Sequence, residues 1–252
     1  MRKVFLILLA LSFLAIPAFA DAVTFASPAG GEVWARGSQH TITYTLAADA
    51  PQYEVVLKRN GVFVGYIYAT SWGAAAGVIN HPWEVGKVQN EDEEFIWAPI
   101  GSGYTICTGC WGSGPPPYGV SNSFSIEFDF SLLAGIKRIV YAPLPKNVGC
   151  PQCISLDLTA LREALIRLHE PVAAGLYLKG MIVASLGQVG GRPEMAVRLQ
   201  LKLGPEAQAA LNRGEEFELR VLNGRMRSIH SQAVRLVTAG RVAPGMEPVL
   251  KR

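Results

Sequence analysis

The sequence predicts a mainly β protein: an antiparallel β-sandwich in front, followed by a smaller, strand-rich mixed α+β domain. Three observations carry this. Across residues 40–46, Ile42, Tyr44 and Leu46 alternate with Thr41, Thr43 and Thr45, the period of a half-buried strand. Asn60-Gly61 joins two further strand-like runs, residues 52–59 and 62–69, and that dipeptide is the strongest short hairpin signal. In the back half Val197, Leu199, Leu201 and Leu203 alternate with Arg198, Gln200 and Lys202, while Leu158, Leu161, Leu165 and Leu168 recur at helical spacing.

Taken in order, the chain opens with Arg2 and Lys3, an apolar run over residues 4–16, and Pro17-Ala18-Phe19-Ala20. A basic head, a short apolar middle and an A-x-A end read as a secretory signal peptide over residues 1–20. The run is shorter than the ~20 residues of a bilayer span, so a transmembrane anchor is disfavoured. The mature chain is then expected outside the cell or in the envelope, periplasm included, without a membrane span. Its length of about 230 residues suits two domains, 21–129 and 130–252. Charge divides at the same place. Residues 21–129 hold four basic side chains against eleven acids, and the remainder seventeen against nine.

Residues 23–26 suit an opening strand, and Ser27-Pro28 ends its ladder because proline donates no amide hydrogen. Gly30-Gly31 permits a sharp turn, Trp34 covers the core edge, and Gly37-Ser38 turns the chain into the threonine-rich strand. This opening, S-P-x-G-G-E-x-W-x-x-G-S-x-x-T-I-x-Y, resembles the immunoglobulin-like N-terminal domain of the yeast cell-wall-glucan synthesis proteins and the Ser/Thr-rich GPI-anchored proteins. Bacterial surface and secreted proteins carry similar modules. The family usually has Trp where Tyr44 stands. Phe95-Ile96-Trp97, residues 101–106 and the closing strand 121–126 extend the match, which covers about residues 22–128. The resemblance implies an immunoglobulin-like sandwich with no catalytic residues to carry over, and it names no ligand.

Residues 72–94 read as a long connection holding Trp72, His81, Trp83 and Glu84, together with the acidic run 91–94. Long irregular loops are often functional, so these four side chains are candidate ligand contacts. The alternative is a surface loop with one tryptophan tucked against the sandwich. Cys107 and Cys110 form one C-x-x-C, and Cys150 and Cys153 another. Four thiolates can hold one structural Zn²⁺, whereas an exported chain favours disulfides; both readings stay open. A redox role ranks last, because residues 154–157 look extended and no helix starts at the cysteines. In either leading case the two knuckles are expected to meet and staple the domains.

In the back half the reading is a strand at 137–142, a helix at 158–169 capped by Asp157 or Thr159, and a strand at 175–186. It continues with a strand at 195–203, a helix at 205–212 with proline in its first turn, a strand at 217–221, a turn at Asn223-Gly224, and strands at 225–230 and 234–237. Arg198 and Lys202 share one face of a strand. With Arg220, Arg225 and Arg227 they are candidates for a basic face that meets an anionic envelope polymer, or the acidic run of a neighbouring copy. Dispersed, solvated arginines are the plainer reading.

No G-x-S-x-G, H-E-x-x-H, phosphate-binding glycine loop or haem-attachment motif is present, and His40, His81, His169 and His230 are scattered. The expected function is therefore a non-catalytic secreted or envelope module that binds surface polysaccharide or an envelope protein, or builds a surface assembly. An envelope enzyme with its site in the back half, near His169 or His230, is the alternative. Nucleic acid is the least favoured partner, since no basic and aromatic stacking motif appears.

Overall fold

Ile42, Tyr44 and Leu46 are fully buried, while the threonines between them are not. They lie on β3 (Gln39–Leu46), the middle strand of an antiparallel sheet in the order β1-β3-β6, with β1 (Val23–Ser27) and β6 (Gly77–Glu84) on its flanks. A larger sheet contains β2 (Val33–Ala35), β4 (Glu54–Arg59), β5 (Val62–Ala69), β7 (Lys87–Gln89), β8 (Phe95–Trp97), β9 (Gly101–Thr108) and β11 (Phe124–Glu127). Its order is β2-β11-β9-β4-β5-β7-β8, with β10 (Gly119–Val120) alongside β9. This is the computed structural model of the chain, and it describes residues 23–50, 53–69, 73–109, 119–144, 150, 152–190 and 194–239. The residues expected to form the signal peptide, 1–20, lie outside these.

Inner faces of both sheets share one core. Trp34, Trp83 and Phe124 pack at ring distances of 4.8–6.4 Å, and Tyr44 and Tyr104 lie beside them. β1, β3 and β6 in one sheet, with β4, β5, β9 and β11 in the other, reproduce the strand division of an immunoglobulin-like sandwich. Tyr104 lies in the first half of β9 and donates its hydroxyl to the carbonyl of Pro99, a tyrosine corner as in that fold. The β4–β5 hairpin turns at Asn60 and Gly61, whose φ angles of 50° and 80° are both positive, as a type I′ turn requires.

One expectation fails here. Within the long connection expected over residues 72–94, residues 77–89 are not an irregular loop but carry β6 and β7, and β8 follows directly after it. Pro82 sits within β6 without harm because β6 is an edge strand, where a missing N–H breaks no ladder.

The chain divides into two units, Met1–Glu127 and Phe128–Arg252. In the second, α1 (Ser131–Gly135) leads to β12 (Arg138–Pro143) and β13 (Cys153–Asp157), then α2 (Thr159–Ile166), β14 (Val172–Leu178) and β15 (Met181–Val189). β16 (Arg198–Lys202), α3 (Pro205–Arg213), β17 (Glu216–Asn223) and β18 (Ser228–Thr238) complete it. One mixed sheet runs β15-β14-β17-β18-β12-β13-β16, antiparallel except where β12 meets β18. Leu161, Ala164 and Leu165 from α2, and Ala207, Ala210 and Leu211 from α3, join its core. The apolar run expected as one strand over 175–186 is a hairpin, turned by Lys179 and Gly180 at positive φ. Conversely, the two strands expected over 225–237 are the single β18.

The second unit is a duplicated β-α-β-β plan, β13-α2-β14-β15 followed by β16-α3-β17-β18. Ser155 pairs with Gln200 and Gly175 with Arg220, each partner 45 residues further on. The same shift turns Val172↔Val189 into Phe217↔Val234. It also turns the bond from the Leu158 amide to the Val197 carbonyl into a near match, from the Leu203 amide to the Gln152 carbonyl. The halves are related by a local two-fold axis through those self-pairs.

Candidate functional site

Of the four expected ligand contacts, Trp72 lies outside the described residues. Trp83 is 4 % exposed, and its indole N–H donates to the Lys87 carbonyl at 2.8 Å. It is a core residue rather than a rim residue, because alternation along β6 sends Ile79, His81 and Trp83 inward. His81 rests on the Tyr68 ring at 4.5 Å, and burial pushes its pKa below the ordinary 6.5. Glu84 accepts a 2.9 Å charged hydrogen bond from Lys87 where the chain leaves β6 for β7.

The His81 shift has a testable sign. The folded chain takes up this proton less readily than the unfolded chain. Stability is therefore full above pH 6.5 and declines as pH falls below it toward the depressed folded value. Melting of the native chain and His81→Gln at about pH 7.5 and about pH 5 should show a larger acid loss in the native chain. Equal losses would mean that His81 titrates as it does when unfolded.

Register builds a different site on the outer face of the larger sheet. Buried Val88 and partly buried Ile96 face the core from β7 and β8, so their neighbours face out. Tyr66 pairs with Gln89, which pairs with Phe95, and Lys87 pairs with Trp97. Directly paired residues share a face, so Tyr66, Phe95 and Trp97 open on one side, and Phe63 meets Tyr66 edge-on at 5.1 Å. Phe95 is 71 % exposed. Lys87, tethered to Glu84, lies 5.5 Å from the centre of the Phe95 ring. Tyr66 and Phe95 sit two strand spacings apart, about 10 Å.

The acidic run becomes the β7–β8 turn beside this row. The Asn90 side-chain oxygen accepts the amides of Asp92 and Glu94 at 3.0 and 2.8 Å. Gln89 donates to the Glu93 carbonyl at 2.9 Å. Carboxylates and an amide thus rim an aromatic surface, a set that stacks on apolar ring faces and accepts hydroxyl hydrogen bonds. Sequence reading missed Phe63, Tyr66, Phe95 and Trp97. The available signal was Phe95-Ile96-Trp97, where aromatics flank an inward isoleucine.

The basic candidates do not gather. Arg198 and Lys202 share the exposed face of β16, with Asp157 in register beside Arg198. Asp157 and Arg198 also line a depression of about 230 Å³ with Val140 and Ser155. Asp157 is already committed: it accepts the Thr159 amide and hydroxyl at 3.0 and 2.7 Å, which lowers its pKa. Arg220 is bound to Glu218 at 2.6 Å and covers the Tyr177 ring at 4.3 Å. Arg225 and Arg227 are in the β17–β18 turn. β16 and β17 stand four strand spacings apart in the sheet order, about 19 Å. His230 stacks on Phe130 at 4.8 Å and faces Gln232 at 3.3 Å; neither neighbour is an acid or a nucleophile.

Cys150 and Cys153 are bonded to each other, their Cα atoms 5.3 Å apart. The expected staple between the two C-x-x-C knuckles is therefore not made, because this local bond uses both sulfurs. Cys107 is buried and also disulfide-bonded; Cys110 lies outside the described residues.

No protein-family model and no curated protein matches the chain. The resemblance of its opening motif to the yeast cell-wall family thus gains no support beyond the immunoglobulin-like sandwich itself. Solved structures similar to it include fibronectin(III)-like modules of Clostridium thermocellum CbhA, at 10 % identity and TM-score 0.23, covering 89 % of this chain and 98 % of that one. A chicken TCR is similar at 11 % identity and TM-score 0.25, over 84 % and 98 %. The human OSCAR ligand-binding domain is similar at 17 % identity and TM-score 0.23, over 85 % and 96 %. Likeness at this level carries nothing about ligand or activity.

Proposed function

We propose that the front unit is a non-catalytic module of a secreted or envelope protein and binds a surface polysaccharide on its outer aromatic row. The carrying observation is the register that sets Tyr66, Phe95 and Trp97 on one face. Sugar rings offer apolar faces to aromatic side chains and hydroxyls to carboxylates and amides. The acidic turn at 91–94 repels polyanions, so the ligand is a neutral or amino-sugar glycan. An envelope-protein partner is the competing occupant of the same row.

Export rests on the basic head and apolar run at residues 2–16. The local Cys150–Cys153 disulfide fits that compartment; a four-thiolate zinc site needs all four cysteines reduced. His230, flanked by a ring and an amide, supports a back half without catalysis.

Calorimetric titration with neutral, amino-sugar and anionic oligosaccharides tests this reading. Phe95→Ala and Tyr66→Ala should each weaken neutral-glycan binding about tenfold (~1.4 kcal/mol). Phe95→Ala should leave the melting temperature unchanged, since that ring is mostly solvated. Binding untouched by both variants, or preference for a polyanion, would sink the proposal.

A further inference from the structure

Tyr66, Gln89 and Phe95 stand in one line across β5, β7 and β8. The outward direction of Tyr66 is supported from its other side as well. Its β4 partner, Val56, is fully buried yet lies apart from the sandwich core that takes Val55 and Leu57. Paired residues share a face, so Val56 and Tyr66 belong to the outer one. The line runs perpendicular to the strands, the direction in which a sheet repeats about every 4.8 Å. Two aromatic side chains therefore bracket one amide at even steps. Gln89 donates to the Glu93 carbonyl; that bond holds the side chain, whose oxygen accepts hydrogen bonds. The Lys87–Trp97 pair lies on one flank of the line and the β7–β8 turn on the other.

Pyranose chains differ in how far and how straight they advance. Equatorial linkage at positions 1 and 4 gives a flat ribbon that advances by about one strand spacing, ~5 Å, per ring and turns over each time. Every second ring then shows the same face, about 10 Å along the chain. Equatorial 1,3 linkage and axial 1,4 linkage bend the chain, and 1,6 linkage adds a loose bond. We infer that the row takes a β-1,4-linked glycan laid across the strands. Two like-facing rings cover Tyr66 and Phe95, and hydroxyls of the ring between them reach Gln89. This rests on the polysaccharide reading above and adds linkage and direction to it. Such a ribbon is stiff before it binds, so little conformational freedom is lost. One rigid chain also joins the two stacking contacts, which makes the second of them intramolecular.

Calorimetric titration of the full mature chain with oligosaccharides graded by length and linkage tests this. The β-1,4 series uses glucose and N-acetylglucosamine oligomers, which share the ribbon and differ in the acetamido group. A disaccharide reaches one aromatic ring and a trisaccharide reaches both. Affinity should therefore rise about tenfold or more between two and three units. β-1,3- and α-1,4-linked oligomers of equal length should bind about tenfold more weakly. In Phe95→Ala, and equally in Tyr66→Ala, the step at three units should vanish while disaccharide affinity is nearly kept. The length and linkage series uses the unaltered chain, so it decides the matter even where a variant folds poorly. Glycan binding without a step at three units, or equal affinity for the bent chains, would overturn this inference and leave the polysaccharide reading standing. Absence of binding to every oligosaccharide would overturn both.

Discussion

Trp83→Ala should unfold the front unit well before it affects any ligand. The ring is 4 % exposed and packs edge-on to Trp34 at 6.1 Å and Phe124 at 6.4 Å. Truncating a buried tryptophan costs about 3–5 kcal/mol through lost burial and the cavity left behind. The Lys87 carbonyl also loses its donor. For a unit of this size that is a fall in melting temperature of ~12 °C or more. Differential scanning calorimetry, with glycan titration well below the transition, separates two roles. A core tryptophan lowers the transition and leaves low-temperature affinity nearly intact. A ligand-contacting tryptophan would do the reverse, and that result would reinstate the rim reading of Trp83.

Gly65→Ala should damage stability and binding together. A Cβ at this position would meet Val88 Cγ2 at 2.6 Å and the Gln89 carbonyl oxygen at 2.8 Å. The second contact is backbone, so no rotamer change relieves it. Overpacking of this kind costs about 1–3 kcal/mol. Tyr66↔Gln89 is the register pair that joins β5 to β7, so the β7–β8 hairpin is the element that gives way. That hairpin carries Phe95, Trp97 and Lys87. The expected outcome is faster amide exchange in residues 87–97 and glycan affinity reduced about tenfold or more, with exchange in β3 and β9 unchanged. Wild-type exchange in the hairpin would show that β5 accommodates the methyl by itself.

What the sequence made legible follows from range. Alternation on β3 and β16, the Asn60-Gly61 turn and the leucine spacing of α2 are local, and each element forms where its period places it. Lys179-Gly180 was hidden because a two-residue turn inside an apolar run leaves the hydrophobicity nearly continuous. Pro82 is a residue that a sheet admits mainly at its edges, and the edge position of β6 is set by pairing that the sequence does not display. The aromatic row could not be read at all. Tyr66 and Phe95 share a face through Gln89, and that register is set by the sheet rather than by spacing along the chain. Trp83 misled for the opposite reason: a tryptophan among polar residues reads as exposed until alternation along β6 is known.

The duplication in the back half was obscured in the same way. Ile154, Leu156 and Leu158 match Leu199, Leu201 and Leu203, but outward positions differ, with Asp157 answered by Lys202. Only the core pattern is common, and it is too general to betray a repeat without the pairing.

A chain that carries one β-α-β-β plan twice has a spare copy of every backbone position. The halves hold common ground where they face the shared core and differ where they face water. One half carries the Cys150–Cys153 loop and an uncharged β15. The other carries the Arg225 and Arg227 turn and an ion pair spread over Tyr177. Surface chemistry can therefore differ between the halves without disturbing the plan they have in common.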